Sequence, residues 1–450
     1  MKLTFYGGVS GSVTGANYLI ETKKGTKILV DCGMFQGDRY AEERNYKPFP
    51  YDAKNIAAVF ITHAHLDHIG RLPKLYRDGF RGKIYCTPPT RDLTELSLKD
   101  SFRIVSDEAR GMGIEPFFSE DDVNGVIQLF EGVAYRTEIN PIPDVRAVLR
   151  DAGHILGSSI VEMWADGKKV VFSGDLGNPP TPLLPPTEKI DEADYVLIES
   201  AYGNRVHEDF KERKNILEDQ IEHIGSQKGV LMIPIFALER TQELLFELNE
   251  LIENKRVPHL PIFIDSPLAI AATEVYKKYP DYYNKQAMYL MESGDQLFRF
   301  PGLTFTKTVD ESRGINNIPA PKVIVAGSGM SNGGRIVHHE RRYLSDSHSI
   351  LLIIGYQVAG TLGRRLLDGA AEVKILGEIV PVRAKITAIG GYSAHADQPK
   401  LLDWISHIKN IKEVFVVQGE EAAANDLASI IRDQLAIKAH APVLGESVEL

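Results

Sequence analysis

Three histidines and an aspartate, His63, His65, Asp67 and His68, fall within six residues of the stretch VFITHAHLDHIG at 59–70. Imidazole nitrogen and carboxylate oxygen are the donors that Zn²⁺ and similar divalent ions take. A lone histidine is ordinarily structural, whereas four ligand-type side chains in one strand-to-helix turn are a metal signal. Two further residues fit the missing parts of such a site, His154 in RDAGHILGSS and Asp175 in FSGDLGN, each in a Gly-flanked turn after a β-like run. The set divides into His63, His65 and His154 on one ion and Asp67 and His68 on a second, with Asp175 bridging. Two ions about 4 Å apart can hold a hydroxide and steady both the attacking and the leaving oxygens of a displacement.

These residues need a sheet to carry them. Residues 1–35 read as hairpins, with ANYLIET and TKILVDCG joined by KKG. An apolar strand enters the His-rich turn and IGRLPKLYRDG leaves it as a helix. KIYCT then reads as a strand, and a long helix is expected from about Arg91 to Arg110. A second β-rich set follows in GVAYRTEI, VRAVLRDAG, SSIVEMWADG and KKVVFSGD, and DYVLIES places Glu199 at a strand end as KKVVFSGD does Asp175. Polar residues at successive strand ends are how open sheets build active sites. From 206 to 377 short apolar strands (VLMIPIF, PIFID, KVIVAGSG, ILLIIGY) alternate with amphipathic runs, the pattern of a parallel α/β unit. From 378 to 450 the texture returns to hairpin character in EIVPVRAKITAIGG and ends strand, helix, strand. The expected organisation is therefore one domain built from 1–205 and 378–450, with a second, 206–377, inserted.

The chain has 450 residues, enough for two or three domains, and its apolar and charged fractions, 43% and 25%, are those of a soluble globular protein. Two cysteines, Cys32 and Cys86, make no disulfide framework. The N-terminus lacks a long apolar run, and no stretch nears the roughly 18 apolar residues of a membrane span. The expected location is the cytoplasm. A net charge of −10 argues against general nucleic-acid coating, so any nucleic-acid site must be local, with metal cations and a few arginines reversing the sign.

DCG (31–33), HAHLDH (63–68), GH (153–154) and SGDLG (173–177), in that order, resemble the metallo-β-lactamase superfamily. ESAYGNR (199–205), PIFALERTQELL (234–245), DSPLA (265–269), GSGMSNGGRIVHH (327–339), TLGRRLLDG (361–369) and YSAHAD (392–397) resemble its β-CASP branch, whose members are chiefly ribonucleases. The short bacterial and archaeal relatives of the nuclease subunit of the mRNA cleavage and polyadenylation machinery are the most similar in look. The resemblance spans essentially the whole chain. It implies an αββα metallo-β-lactamase sandwich carrying an inserted parallel α/β β-CASP domain, two Zn²⁺ ions held as above, and Asp31 orienting a ligand histidine from behind. It further implies hydrolysis of single-stranded RNA by a metal-bound hydroxide, in endonucleolytic or 5′-exonucleolytic mode. Asp67 then belongs to the catalytic group, and His395, paired with Glu199, protonates the departing 3′ oxygen in the cleft between the domains. Phosphate contacts are expected from the Gly- and Ser-rich loop and its neighbours, at Ser328, Ser331, Gly333, Arg335 and Ser393, with Arg240, Arg364 and Arg365 as further candidates. HHERR at 338–342 reads rather as a solvated helix face. RNA is the expected partner, a homodimer stays open, and no membrane is involved.

One position departs from the pattern. The family's last motif places a histidine in a VHGE-like turn to complete the second metal's ligands, and here the run is EVFVVQGEE with Gln418 in its place. An amide oxygen is a weaker, uncharged and harder ligand than imidazole. Open outcomes are a loosely held second ion, Mn²⁺ in place of Zn²⁺, or a site run on one tight metal. Two other readings stand beside the ribonuclease: a metallo-hydrolase of a small ester, thioester or lactam, and an RNA-binding relative with little or no catalysis.

Overall fold

The computed structural model describes residues 1–10, 12–37, 43–207, 210–355, 357–358, 360–389 and 392–450. The chain folds as two compact units, the first made of Met1–Pro179, Pro185–Val206 and His395–Leu450, the second of Pro180–Leu184 and His207–Ala394. Among the described residues no helix is long and apolar enough to cross a membrane.

The first unit contains two seven-stranded sheets. One runs in the order Ser447–Glu449, Lys2–Phe5, Tyr18–Glu21, Lys27–Val30, Ile56–Phe60, Lys83–Cys86, Phe130–Gly132, antiparallel through Lys27–Val30 and parallel beyond it. The other runs Ala439–His440, Glu413–Val417, Tyr195–Glu199, Lys168–Phe172, Ser159–Ala165, Val145–Asp151, Glu138–Ile142. Side chains alternate faces along a strand, and the burial follows that period. Ile28 and Val30 enter the core between the sheets with Phe5, Phe60, Phe172 and Phe415, while Leu29 points to the outer helices. Across the core, Phe415 and Val417 point inward and Val414 and Val416 outward, against the helices Gln398–Ser406 and Glu421–Leu435. Helices thus cover both outer faces, which is the αββα layering. The long helix spans Pro88–Met112, with the Thr87 hydroxyl accepting from Thr90 N–H at its start and Gly113 in the left-handed conformation at its end.

The second unit holds a six-stranded, all-parallel sheet in the order Leu303–Phe305, Ile262–Asp265, Lys322–Ala326, Val230–Pro234, Ile350–Ile354, Lys385–Ile389. The expected return to the first domain at 378 is displaced. Glu372–Ile375 and Glu378–Pro381 form a hairpin, but Lys385–Ile389 runs parallel to Ile350–Ile354 and extends the second unit's sheet. Alternating β-branched residues look the same in a hairpin and in a parallel edge strand, so texture alone does not tell which sheet Lys385–Ile389 joins. Tyr356 and the glycines at 390–391, which end two of the expected β runs, lie outside the described residues.

The His-rich turn is seated directly on the DCG segment. Cys32 N–H donates to His68 C=O, Met34 N–H to Leu66 C=O and Ala16 N–H to Asp67 C=O, each at 2.8 Å. A Cβ on Gly33 would lie 1.5 Å from the Asp67 carbonyl oxygen, so only glycine admits this approach. Gly33→Ala is therefore expected to destabilise the first unit by about 3 kcal/mol or more. Gly111→Ala, in the long helix with nothing within 4 Å of the added carbon, should be neutral or stabilising by up to ~1 kcal/mol. Urea denaturation of the two variants checks the contrast.

Candidate metal centre

Strand Ile56–Phe60 ends three residues before His63, and His65 is the N-cap of the short helix Leu66–Ile69 that carries Asp67 and His68. The second sheet supplies the rest from its own strand ends, His154 after Val145–Asp151 and Asp175 after Lys168–Phe172. Ser159 N–H donates to Thr62 C=O at 2.7 Å and joins the two groups. Ligand atoms of His63, His65, His154 and Asp175 all lie within 4.8 Å of one another. His63 Nε2 and His154 Nε2 stand 3.1 and 3.2 Å from His65 Nδ1, and 3.4 and 3.6 Å from Asp175 Oδ2. A tetrahedral Zn²⁺ with bonds of 2.0–2.1 Å separates its ligand atoms by ~3.3 Å, so these spacings fit one ion. Burial, with help from neighbouring imidazoles, pushes the pKa of His63 below its usual value and those of His65 and His154 well below. Three neutral imidazoles facing one point are ligands in the right protonation state.

The second group turns on His68 and the other carboxylate oxygen of Asp175. His68 Nε2 is 3.5 Å from Asp175 Oδ1 and 3.8 Å from Asp67 Oδ2. Asp175 Oδ1 is buried and, among the described residues, has no hydrogen-bond partner, which suits a cation ligand. Behind His68, Asp31 Oδ2 sits 2.7 Å from Nδ1, and Asp31 is itself fixed by the Thr62 amide at 2.8 Å and hydroxyl at 2.9 Å. Nothing singled out Thr62 in the sequence, although it directly precedes the first histidine. Burial opposes charge on His68, but the carboxylates of Asp175, Asp31 and Asp67 together outweigh it and raise its pKa well above the ordinary value.

Glu199 closes strand Tyr195–Glu199 and is fully buried. Its Oε1 accepts from Leu176 N–H at 2.7 Å, and His395 Nδ1 stands 3.3 Å from its Oε2 and 3.8 Å from Asp175 Oδ2. His395 is placed by a bridge to Gly177 and by Ala396 N–H donating to Leu176 C=O at 2.8 Å.

Three family models match the chain in order: the metallo-beta-lactamase superfamily over residues 13–194, the Beta-Casp domain over 241–366 and the Zn-dependent metallo-hydrolase RNA specificity domain over 379–442. A Thermus thermophilus protein named as a ribonuclease is 38% identical over 92% of this chain and 92% of its own length. The chain belongs to the β-CASP family of the metallo-β-lactamase superfamily. An RNase J-like protein of Methanocaldococcus jannaschii is 33% identical over 98% of both chains. The transcription termination factor FttA of Methanosarcina mazei is 31% identical over all of this chain and 72% of that one. A crystal structure of a protein of unknown function from Enterococcus faecalis V583 superposes with a TM-score of 0.55 at 12% identity, covering 100% of this chain and 99% of that one, a likeness of fold alone.

Gln418 follows strand Glu413–Val417 with a positive φ of 54°, its amide N–H donating to Gly8 C=O at 3.0 Å. Its side-chain nitrogen lies 2.6 Å from His68 Nε2, and its buried Oε1 has no hydrogen-bond partner among the described residues. Exchanging amide nitrogen and oxygen, which are alike in shape, lets a protonated His68 Nε2–H donate to Oε1. Gln418 therefore reaches the second group, and its oxygen is the donor available there.

The β-CASP loop 327–335 is largely self-contained. The Ser328 hydroxyl donates to Gly333 C=O at 3.3 Å, and the Ser331 hydroxyl donates to the buried Glu340. Arg335 spends Nη1 on Asp265 Oδ1 at 2.7 Å and Thr306 C=O at 2.9 Å, and Nη2 on Lys307 C=O at 2.9 Å. Arg240 is buried against Glu243 at 2.6 Å, and Arg364 pairs with Asp368 at 2.9 Å. Ser331, Arg335 and Arg240, read from the sequence as phosphate contacts, thus each have partners within the second unit. Glu243 and Glu340 lie only three and nine positions from Arg240 and Ser331, whereas Asp265 lies 70 positions from Arg335. Ser328 and Gly333 hold each other in the loop, and Ser393 lies two residues before His395 at the end of the second unit.

Burial works against the charge on His395, and the Glu199 carboxylate outweighs it, raising the pKa to about 9. In the ion-free protein the charged pair contributes stability that is fully present below about pH 6.5 and is lost as pH rises through about 9. NMR titration of His395 should show this high midpoint, and Glu199→Gln should lower it by at least about one unit. An unchanged midpoint would show that Glu199 is not its cause.

Proposed function

We propose that this chain is a metal-dependent ribonuclease that hydrolyses phosphodiester bonds of single-stranded RNA. The observation that carries the proposal is the convergence of three neutral imidazoles and Asp175 on one point, with the His395–Glu199 pair against the same aspartate. The names of the Thermus ribonuclease and the RNase J-like relative, and the RNA specificity model matched over 379–442, favour RNA as the substrate class. Its domain assignment would be metallo-β-lactamase parts flanking an inserted β-CASP domain.

His63, His65, His154 and Asp175 would hold one Zn²⁺, and Asp67, His68, Asp175 and the Gln418 oxygen a second, weaker ion, Zn²⁺ or Mn²⁺. When bound, these ions supply Lewis-acid polarisation of the phosphate and an acidified water. The chain's own contribution is to place and move a proton. Nδ1–H of His395 donates to Glu199, which leaves Nε2–H to protonate the departing 3′ oxygen as the P–O3′ bond breaks. Glu199, held by the Leu176 amide, keeps the ring in that orientation. Asp31 does the same for His68 from behind. The two buried free cysteines suit a reducing cytoplasm. A homodimer is part of the reading, and a monomer mass in light scattering would remove it.

A second reading, an RNA-binding relative with little catalysis, is favoured by Gln418 alone. Both are tested with RNA labelled at its 5′ end, incubated in Zn²⁺ and then Mn²⁺, with metal content measured by mass spectrometry. Expected are cleavage by the natural protein, with internal fragments marking an endonuclease and mononucleotides a 5′-exonuclease. His395→Ala should lose roughly 10²–10⁴-fold in rate. After dialysis the natural chain should retain about one ion and Gln418→His about two. RNA bound but uncut in either metal, with cutting restored by Gln418→His, supports the second reading; no cutting by either protein overturns the first.

A further inference from the structure

The second unit contains a buried ionic chain. Helices Phe210–Gln227 and Arg240–Glu253 face each other through Arg213, Glu243 and Glu247, which are 3%, 0% and 2% exposed. Arg213 contacts Glu247 Oε1 through Nε at 2.8 Å and Nη2 at 2.6 Å, and its Nη1 lies 3.8 Å from Glu243, which Arg240 also meets at 2.6 Å. Buried charges are costly unless paired and fully hydrogen-bonded, and a helix pair could pack with apolar residues instead. The last group of the chain is Tyr392. Its ring is fully buried under the Arg213 guanidinium, 4.5 Å from the centroid, and its hydroxyl donates to the other Glu247 oxygen.

Tyr392 lies three residues before His395, and the boundary between the two units falls at Ala394 and His395. Three residues reach at most about 11 Å. His395 is also the most exposed member of its immediate group, 29% against 5% for Asp175 and 0% for Glu199, and it follows a segment outside any strand. The other acid–base and ligand residues of the second sheet follow strand ends that the sheet itself fixes; His395 is held from its own position onward by the Gly177 bridge and the Ala396 amide, and the residues leading into it are anchored at Tyr392.

We propose that Tyr392 is a positioning residue for His395: the Tyr392–Glu247–Arg213 chain fixes the N-terminal end of the segment that presents the imidazole to the leaving group. The inference rests on the reading of His395 as the proton donor. A tether of this kind acts only on the step that uses the donated proton, so its loss is felt in proportion to how poorly the leaving group departs unaided.

The test compares two RNAs, identical except that one carries a single 3′-bridging phosphorothiolate, whose sulfur leaves as a thiolate without protonation. Tyr392→Phe keeps the ring and its cation contact and removes only the hydroxyl; Glu247→Gln is the second variant, with thermal unfolding run on both. Expected is a fall in kcat of about tenfold or more on normal RNA, with KM and the phosphorothiolate rate within about twofold. An equal fall on both RNAs, or no fall on normal RNA from either variant, overturns the inference. His395→Ala runs alongside. If it shows the leaving-group selectivity and neither tether variant does, only the tether fails; if it slows both RNAs equally, the proton-donor reading fails and the tether with it.

Discussion

A carboxylate taken out of water has to be neutralised where it lies, and Asp175 is the point on which the first unit turns. Its side chain is 5% exposed, and its two oxygens look in different directions, Oδ2 toward His63, His154 and His395 and Oδ1 toward His68. Burial alone would drive its pKa up, but the positive charge on His68, with hydrogen bonding from His63, outweighs that and holds it well below the ordinary range. Compensation needs residues from both sheets, because Asp175 leaves the end of one and His63 and His68 leave the end of the other. The core behind them can be any well-packed set of Phe, Val and Leu side chains, whereas the strand ends must meet at this charge.

The second unit solves the same problem differently. Asp265 is fully buried at a strand end, yet it is saturated by Arg335, Thr306, Ser312 and His339, and their hydrogen bonds lower its pKa to about 2 against the opposing effect of burial. A carboxylate with every lone pair used is a structural clamp, and this one locks the start of the Arg335 helix to the sheet. Asp175 keeps Oδ1 without a hydrogen-bond donor. Two buried aspartates, Asp265 at the end of its strand and Asp175 three residues past the end of its own, thus differ in spare coordination capacity, the property a metal ligand needs and a clamp does not.

The same distinction explains what could be read from the sequence. HAHLDH stands out because ligand-type imidazoles and a carboxylate crowd into six residues, and His154 and Asp175 because their Gly-flanked turns end β-like runs. The pairing of Glu199 with His395, 196 positions apart, came only through the family resemblance. Arg335 and Ser331 read as phosphate contacts because a Gly- and Ser-rich loop with an arginine resembles a phosphate cradle, while the acids that meet those side chains in the fold, Asp265 and Glu340, carry no local mark. Tyr392 was part of a quoted motif, but its partner Glu247 sits in a helix that reads as an ordinary amphipathic one. Local type and spacing reveal ligands; satisfaction of a polar group is a property of the fold.

Gln418 shows how far one such satisfied group reaches. Without an ion, His68 carries the positive charge that Asp31, Asp67 and Asp175 demand, so an ion bound at Nε2 has to displace a proton already stabilised by three carboxylates. An imidazole at position 418 would bring a strong nitrogen donor to the ion. The amide brings a neutral oxygen that serves the protonated histidine equally well, and so favours the proton in that competition. At the first group the balance is opposite, since burial has already stripped the protons from His63, His65 and His154. On the proposed two-ion reading, the two positions would differ in strength because of where protons are held before any ion arrives, with Asp175 common to both.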